Sequence, residues 1–568
     1  MTIPPSQFRL LTRHFVGQFL DNDLLSPREG LQSGFAGALG FLLMLALLIP
    51  TRLALKYAVP FKTAALRDYA SWGDKCQFIA LVMIVLGGLA LTQWQRLRLD
   101  RRDYFILLPL PVDHTTILWA KLAALVWLFA VFAAALAGFG PLFSVALFAS
   151  GQASFIEVVR WALGHIAAIL AAGAFAYFGV MALHGTLFTM LGPRAFRRVS
   201  PWLQAAGIFI VALAVLLLPL ITWSTYPLKR TGGTGLYAMP TMWFLGLYQT
   251  VGGRTDADFT GLAFLGWAAP TAAVAVAVLT SLVGYRRHVA TTIESQDTRR
   301  PWPWLRRIGA RLAAAVCAWR PLRHATFSFM VRTLTRSPRH RAVLTLAFSL
   351  ACAVAAVSLL SSMSSSAEGW RPPGVGAVLS IQWALTFFLV LAARFATVIP
   401  SELRASWMPR LLAPGDAAPL RAGAARAVLA CGVVPLVAIL LPIDASLVGW
   451  RLAGAHAAVG LVAGAVLIEV AFFGFASIPF TFALPPDTGI PRVRWLGYWL
   501  GFSTFVLTLP HLEAFFLGNP GGFTGFTCAW FGLLIALVIA RRKAARDGTP
   551  TVFEQQGDWA VQRLDLSA

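Results

Sequence analysis

Acidic residues are scarce in this 568-residue chain: 24 Asp and Glu stand against 47 Lys and Arg, and charged residues of both signs make up only 12% of it. With 58% of residues apolar, a single soluble domain of this length is excluded. The five cysteines, Cys76, Cys317, Cys352, Cys431 and Cys528, are odd in number and widely spaced, which excludes a disulfide framework and a CxxC metal site. No Gly-Lys dipeptide occurs. A phosphate-cradling loop ending in Lys-Ser or Lys-Thr is therefore missing, and any ATP must be hydrolysed by another polypeptide. HExxH, GxSxG and Cys/His clusters are missing too, and the nine histidines are scattered.

What is present is apolar sequence in long runs. A hydrocarbon core about 30 Å thick takes about 20 helical residues to cross. Runs of that order lie near 33–50, 77–93, 117–148, 163–190, 203–223, 261–284, 342–361, 375–400, 427–442, 453–482, 495–510 and 524–540. They predict an all-α polytopic integral membrane protein with about twelve transmembrane helices. Arginines gather on one set of alternate loops, among them Arg96, Arg98, Arg101, Arg102, Arg194, Arg197, Arg198, Arg541 and Arg542. The inside-positive rule then places both termini in the cytoplasm, and the net charge of +23 reflects membrane topology, with no nucleic acid expected as a partner. Residues 51–76 go against this count, carrying Arg52, Lys56, Lys62, Arg67 and Lys75 on a nominal outer loop. A folded outer insert or a misjudged first span would account for them. The first strong apolar run begins too late for a cleaved signal, so Met1–Leu31 is expected to be retained.

The arginine-rich stretch after Tyr285 divides the chain into a first six-helix half (1–284), a basic cytoplasmic linker (285–326), a second six-helix half (327–541) and a cytoplasmic tail (542–568). Each half opens on a basic amphipathic segment, around Phe8–Phe15 and Phe327–Leu334, suited to the headgroup boundary. Each has a long inner loop after its second span, Gln95–Thr116 and Ser401–Ala425, and a shorter one after its fourth, Gly192–Pro201 and Leu484–Arg494. This shared order predicts parallel internal repeats, with most length variation in outer loops such as Ser224–Thr260 and the shorter His511–Phe523.

The segment Leu99–Val112 places the pairs Asp100-Arg101 and Arg102-Asp103 before an apolar run stopped by Pro109 and Pro111. It is too short and broken to span, and reads as a short helix at the inner surface or an ordinary amphipathic connector. With Met239–Tyr248 before the sixth span, Leu334–Arg341 before the seventh and Ile399–Trp407 after the eighth, it resembles the membrane subunit of ABC-2-type exporters. The resemblance implies that the loop after the second span of each half meets a separate ATP-binding-cassette ATPase subunit, through Asp103, Pro109 and Pro111 in one half and Glu402, Trp407 and Arg410 in the other. It also implies a bacterial inner-membrane location, ATP and Mg²⁺ held by the partner, and no cofactor or catalytic residue in this chain. The two halves are fused here, which departs from the family's minimal form and leaves open the number of copies per complex.

Charges inside the membrane are costly and point to function. The candidates are Lys121, Arg394 and Glu469, with His165 and His184. Lys121 and Arg394 sit where they can snorkel to the headgroups. Glu469, midway along Leu461–Phe480, faces a substrate path, pairs with a neighbouring span, or is a lone feature of packing. Asp256 and Asp258 could hold a cation, although a solvated loop is the better account of them, and Gly460 and Gly464 permit close helix packing. Phe553, Trp559, Val561, Leu564 and Leu566 in the tail fit a partner contact or a surface-lying helix. The expected function is a permease subunit exporting a hydrophobic or amphipathic substrate. The alternatives are an ion-coupled secondary transporter relying on Glu469, and a membrane enzyme acting on a lipid-linked substrate through Asp256 and Asp258.

Overall fold

The computed structural model describes residues 5–20, 64–94, 112–138, 154–231, 234–253, 256–294, 320–362, 374–401, 417–475, 478–481 and 492–546, with isolated positions between them. The secondary structure is helical, without a strand among the described residues. Among the described residues, eleven helices are long and apolar enough to cross a membrane, and each overlaps one of the apolar runs counted above. The run near 33–50 falls almost wholly outside the described residues, as does the tail. Large apolar side chains are exposed along these helices, including Ile210, Phe264, Phe348, Ile439 and Ile539. Lipid solvates such faces and water does not. The chain is a multi-pass membrane protein of two compact units, Met1–Asp297 and Thr298–Ala568.

The first unit comprises α1 (Pro5–Leu20), α2 (Ala64–Thr92), α3 (His114–Ala137), α4 (Phe155–Thr231), α5 (Thr234–Ala238), α6 (Pro240–Val251) and α7 (Ala257–Glu294). α2 begins well before the apolar run at 77, so Arg67 and Lys75 are helical residues and not part of an outer loop. The short loop expected at 192–201 is instead a kink within α4. Gly192 there has φ 72° and ψ 166°, a backbone state that glycine adopts without steric cost, and the candidate spans Phe155–Phe196 and Arg198–Leu218 follow one another within α4. Much of the outer loop 224–260 is helical as well, with Phe244, Leu245, Leu247 and Tyr248 of α6 buried. They join Ile79, Val82 and Leu86 of α2, Ile169 and Tyr177 of α4 and Leu262 of α7 in one core.

The second unit comprises α8 (Pro321–Arg336), α9 (Pro338–Ser362), α10 (Val375–Ala396), α11 (Ala418–Val428), α12 (Val434–Val448), α13 (Trp450–Ala471), α14 (Arg492–Phe502), α15 (Leu509–Leu517) and α16 (Pro520–Arg546). Two π-helical segments, Leu429–Val433 and Ser503–Thr508, join α11 to α12 and α14 to α15. Each lies just before a proline, Pro435 or Pro510. Proline removes a backbone donor and crowds the preceding turn, and a widened turn accommodates both effects without ending the helix. The helix therefore does not stop at 510, and His511–Leu517, expected in a loop, continues a helix long and apolar enough to cross a membrane.

In both units the opening amphipathic helix packs against the helix that follows the long loop: α1 on α3 and α8 on α11. Lys121 of α3 is buried beneath this contact, its ammonium 5.6 Å and 6.0 Å from the Phe15 and Phe19 rings. It does not reach toward headgroups. In the second unit Gly423 allows the approach, since a Cβ there would stand 2.6 Å from the Arg323 carbonyl oxygen and 2.8 Å from Thr326 Cβ. Gly423→Ala should therefore lower the thermal unfolding midpoint in detergent, at a cost of about 1–3 kcal/mol. Gly454→Ala, where a Cβ meets nothing within 4 Å, should leave the midpoint unchanged or raise it.

Candidate functional site

Three buried ionisable groups converge in the second unit from the ends of separate helices: Asp444 of α12, His456 of α13 and Glu513 of α15, each at most 1% exposed. Glu513 Oε2 accepts the indole N–H of Trp383 at 2.6 Å, and Oε1 lies 2.9 Å from His456 Nδ1. Gln382, one residue before Trp383 on α10, donates to the His456 carbonyl at 3.2 Å. The Asp444 carboxyl interacts electrostatically with both His456 and Glu513. Phe505 and Trp530 flank the Trp383 ring at 5.1 Å and 5.6 Å, enclosing the carboxylate in aromatic surface.

Among the three groups, the hydrogen bond is the one between the Glu513 carboxyl and the His456 imidazole. Two atoms keep unused capacity: His456 Nε2 and Asp444 Oδ1 have no hydrogen-bond partner among the described residues. In a low-dielectric interior an ionised carboxylate persists only where paired. The indole and imidazole supply that pairing for Glu513.

A comparable position in the first unit carries different chemistry. Lys75 of α2 lies 4.1 Å from the Trp161 ring and 4.6 Å from the Tyr248 ring. That is an aromatic cradle for an ammonium group. His165, also on α4, packs between Phe78 and Tyr248 with ring centroids 5.2 Å and 5.7 Å away. Its Nε2 has no hydrogen-bond partner among the described residues. Each unit thus sets a buried histidine of a long span against the helix that precedes the last span, the short α6 before α7 in one and the end of the continuous α14–α15 span before α16 in the other.

The other residues singled out from sequence are dispersed. Glu469 lies near the C-terminal end of α13 and forms an ion pair with Arg541 of α16. Arg394 donates from Nε to the Ala471 carbonyl at 3.0 Å and from Nη1 to Thr397 Oγ1 at 3.1 Å, and its guanidinium stacks over Phe475. These contacts tie it into the bundle. His184 is enclosed by Trp94 and Phe196. Asp256 and Asp258 are exposed at the start of α7, where their charge complements the helix dipole. No group of three or more metal-ligating side chains forms among the described residues.

Asp103, Pro109, Pro111, Glu402, Trp407 and Arg410 lie outside the described residues. Their flanks are described. Leu107 is buried in the first unit's core. At the entrance to the loop after α10, Ser401 N–H donates to the Phe480 carbonyl at 3.1 Å, Phe480 N–H donates to the Thr397 carbonyl at 2.8 Å, and His340 Nε2 meets the Ile399 carbonyl at 3.0 Å. Phe480 has φ 63°, a left-handed state that is strained for a bulky side chain.

Asp444, His456 and Glu513 were not singled out from sequence. Asp444 and Glu513 sit just past the ends of apolar runs and resemble isolated loop charges, His456 lies just inside the start of another run, and the partners of Glu513 are 57 and 130 positions away. No family model, curated protein or solved structure matches the chain. Glu513→Leu removes the partner of two buried polar groups and should destabilise the protein by about 3 kcal/mol. Glu513→Gln keeps both hydrogen bonds and should lose less than half as much, measured by thermal unfolding in detergent.

Proposed function

We propose that this chain is the membrane-spanning subunit of an ATP-binding-cassette exporter, driven by a separate ATPase subunit that holds ATP and Mg²⁺. The observation that carries the reading is the packing of the opening helices, α1 on α3 and α8 on α11. Each is coupled to the helix just behind a long loop. A partner that moves loop 95–113 or loop 402–416 would displace an interfacial helix and a membrane span as one lever. Nucleotide binding then favours whichever of two packings the ATPase binds more tightly.

The recurrence of this contact in both units, with a buried histidine beside the penultimate helix of each, supports two fused six-helix repeats. A bacterial inner membrane with cytoplasmic termini goes with this reading, and so does a hydrophobic or amphipathic substrate. Purified with its cognate ATPase, the chain should support substrate-stimulated ATP turnover and transport into vesicles. Neither should occur with either subunit alone. Transport by the chain without an ATPase overturns the proposal.

The cluster of Asp444, His456 and Glu513 favours a second reading, proton-coupled secondary transport, because it supplies buried carboxylates of the kind that such coupling uses. Transport that survives ATP depletion but is lost with a protonophore or with Glu513→Gln would select this reading over the first.

A further inference from the structure

A cavity of about 500 Å³ opens in the second unit at the end opposite the Glu513 cluster. Arg320 and Arg323 line it from the start of α8, Arg421 and Arg426 from α11, and Arg541 and Arg542 from α16. The one acidic residue among the lining residues is Glu469, which is already paired with Arg541. Six guanidinium groups thus face one carboxylate. Like charges crowded beside apolar helices repel strongly unless an anion joins them.

The crowding leaves marks on its neighbours. Arg323 is shifted below the usual guanidinium range, first by burial and then by the charges of Arg426, Arg320 and Arg541. Arg426 Nη1 is buried without a hydrogen-bond partner among the described residues. Arg421 reaches the Phe473 carbonyl at 3.0 Å through Nη1.

We infer that this cavity binds a phosphate-bearing anion, whose oxygens receive guanidinium N–H groups from α8, α11 and α16. Guanidinium forks match phosphate oxygens in pairs, and the volume exceeds what a bare phosphate needs while matching small-ligand pockets of about 300–1,000 Å³. The cavity lies at helix ends, where a span meets the membrane boundary. An anionic lipid headgroup and a soluble phosphorylated compound both carry the required chemistry. The occupant ties the opening amphipathic helix to α11 and α16 and so sets how freely this end of the bundle moves. The inference stands independently of how transport is energised.

The test uses the full-length protein, delipidated in neutral detergent, with thermal unfolding as the readout. The probes are phosphatidylglycerol, phosphatidylcholine and inorganic pyrophosphate, with sodium chloride at matched ionic strength as control. Phosphatidylglycerol or pyrophosphate should raise the unfolding midpoint above the chloride control. Phosphatidylglycerol alone acting identifies a lipid occupant, pyrophosphate alone a soluble one, and both acting supports the shared phosphate chemistry.

Arg426→Gln and the exposed Arg542→Gln should each weaken the stabilising probe by about ten-fold. Arg426→Gln should also raise the midpoint of the probe-free protein, because it relieves repulsion. Arg542→Gln keeps the test decisive if the more buried variant does not fold. Stabilisation equal to that of chloride, or equal in wild type and Arg542→Gln, overturns the inference.

Discussion

The low dielectric of the bilayer decides where each charge in this protein can sit, and the rest of the architecture adapts to it. Apolar helix faces meet lipid at no cost, so the helices need little from one another beyond close packing. Every buried ionisable group has to be given a partner, an aromatic surface or a helix end. Three described charges show three ways of meeting this requirement. Glu513 is held by an indole and an imidazole, Lys75 by two aromatic rings, and Glu469 by Arg541.

These solutions fall at opposite ends of the second unit's helices. His456 is near the start of α13 and Glu469 near its finish, about 20 Å apart at 1.5 Å per residue. One end of the bundle is acidic and closed over by aromatic rings, the other basic and open as a cavity. A helix bundle that moves between two packings must carry both ends with it. On the proposed reading, the basic end lies beside the moving loops and the acidic end is reached through α12 and α13.

How far the fold is legible in the sequence depends on the kind of signal. Span number follows from the length of apolar runs, and eleven of those runs coincide with membrane helices because length is a direct consequence of bilayer thickness. Helix ends are much less legible. Lys75 and Glu513 look like loop residues because apolar sequence stops beside them, yet their helices continue, since long-range partners satisfy the charges. Lys121 and Arg394 show the same blindness in another form: a basic residue near a span end can snorkel or bury, and only the neighbouring helix decides. Glu469 as a membrane carboxylate was visible, whereas its pairing with a residue 72 positions away was not.

The widened turn at Ser503–Thr508 has a consequence for the acidic end. A π segment inserts one residue beyond the ordinary helical count, which turns everything after it by about 100° around the axis. Shortened by one position to a regular helix, the same stretch would carry Glu513 away from the indole and imidazole and leave a neighbour facing them. The carboxylate is thus aimed by a local excess of backbone, and a shift of that surplus past Glu513 would re-aim it without unfolding the helix.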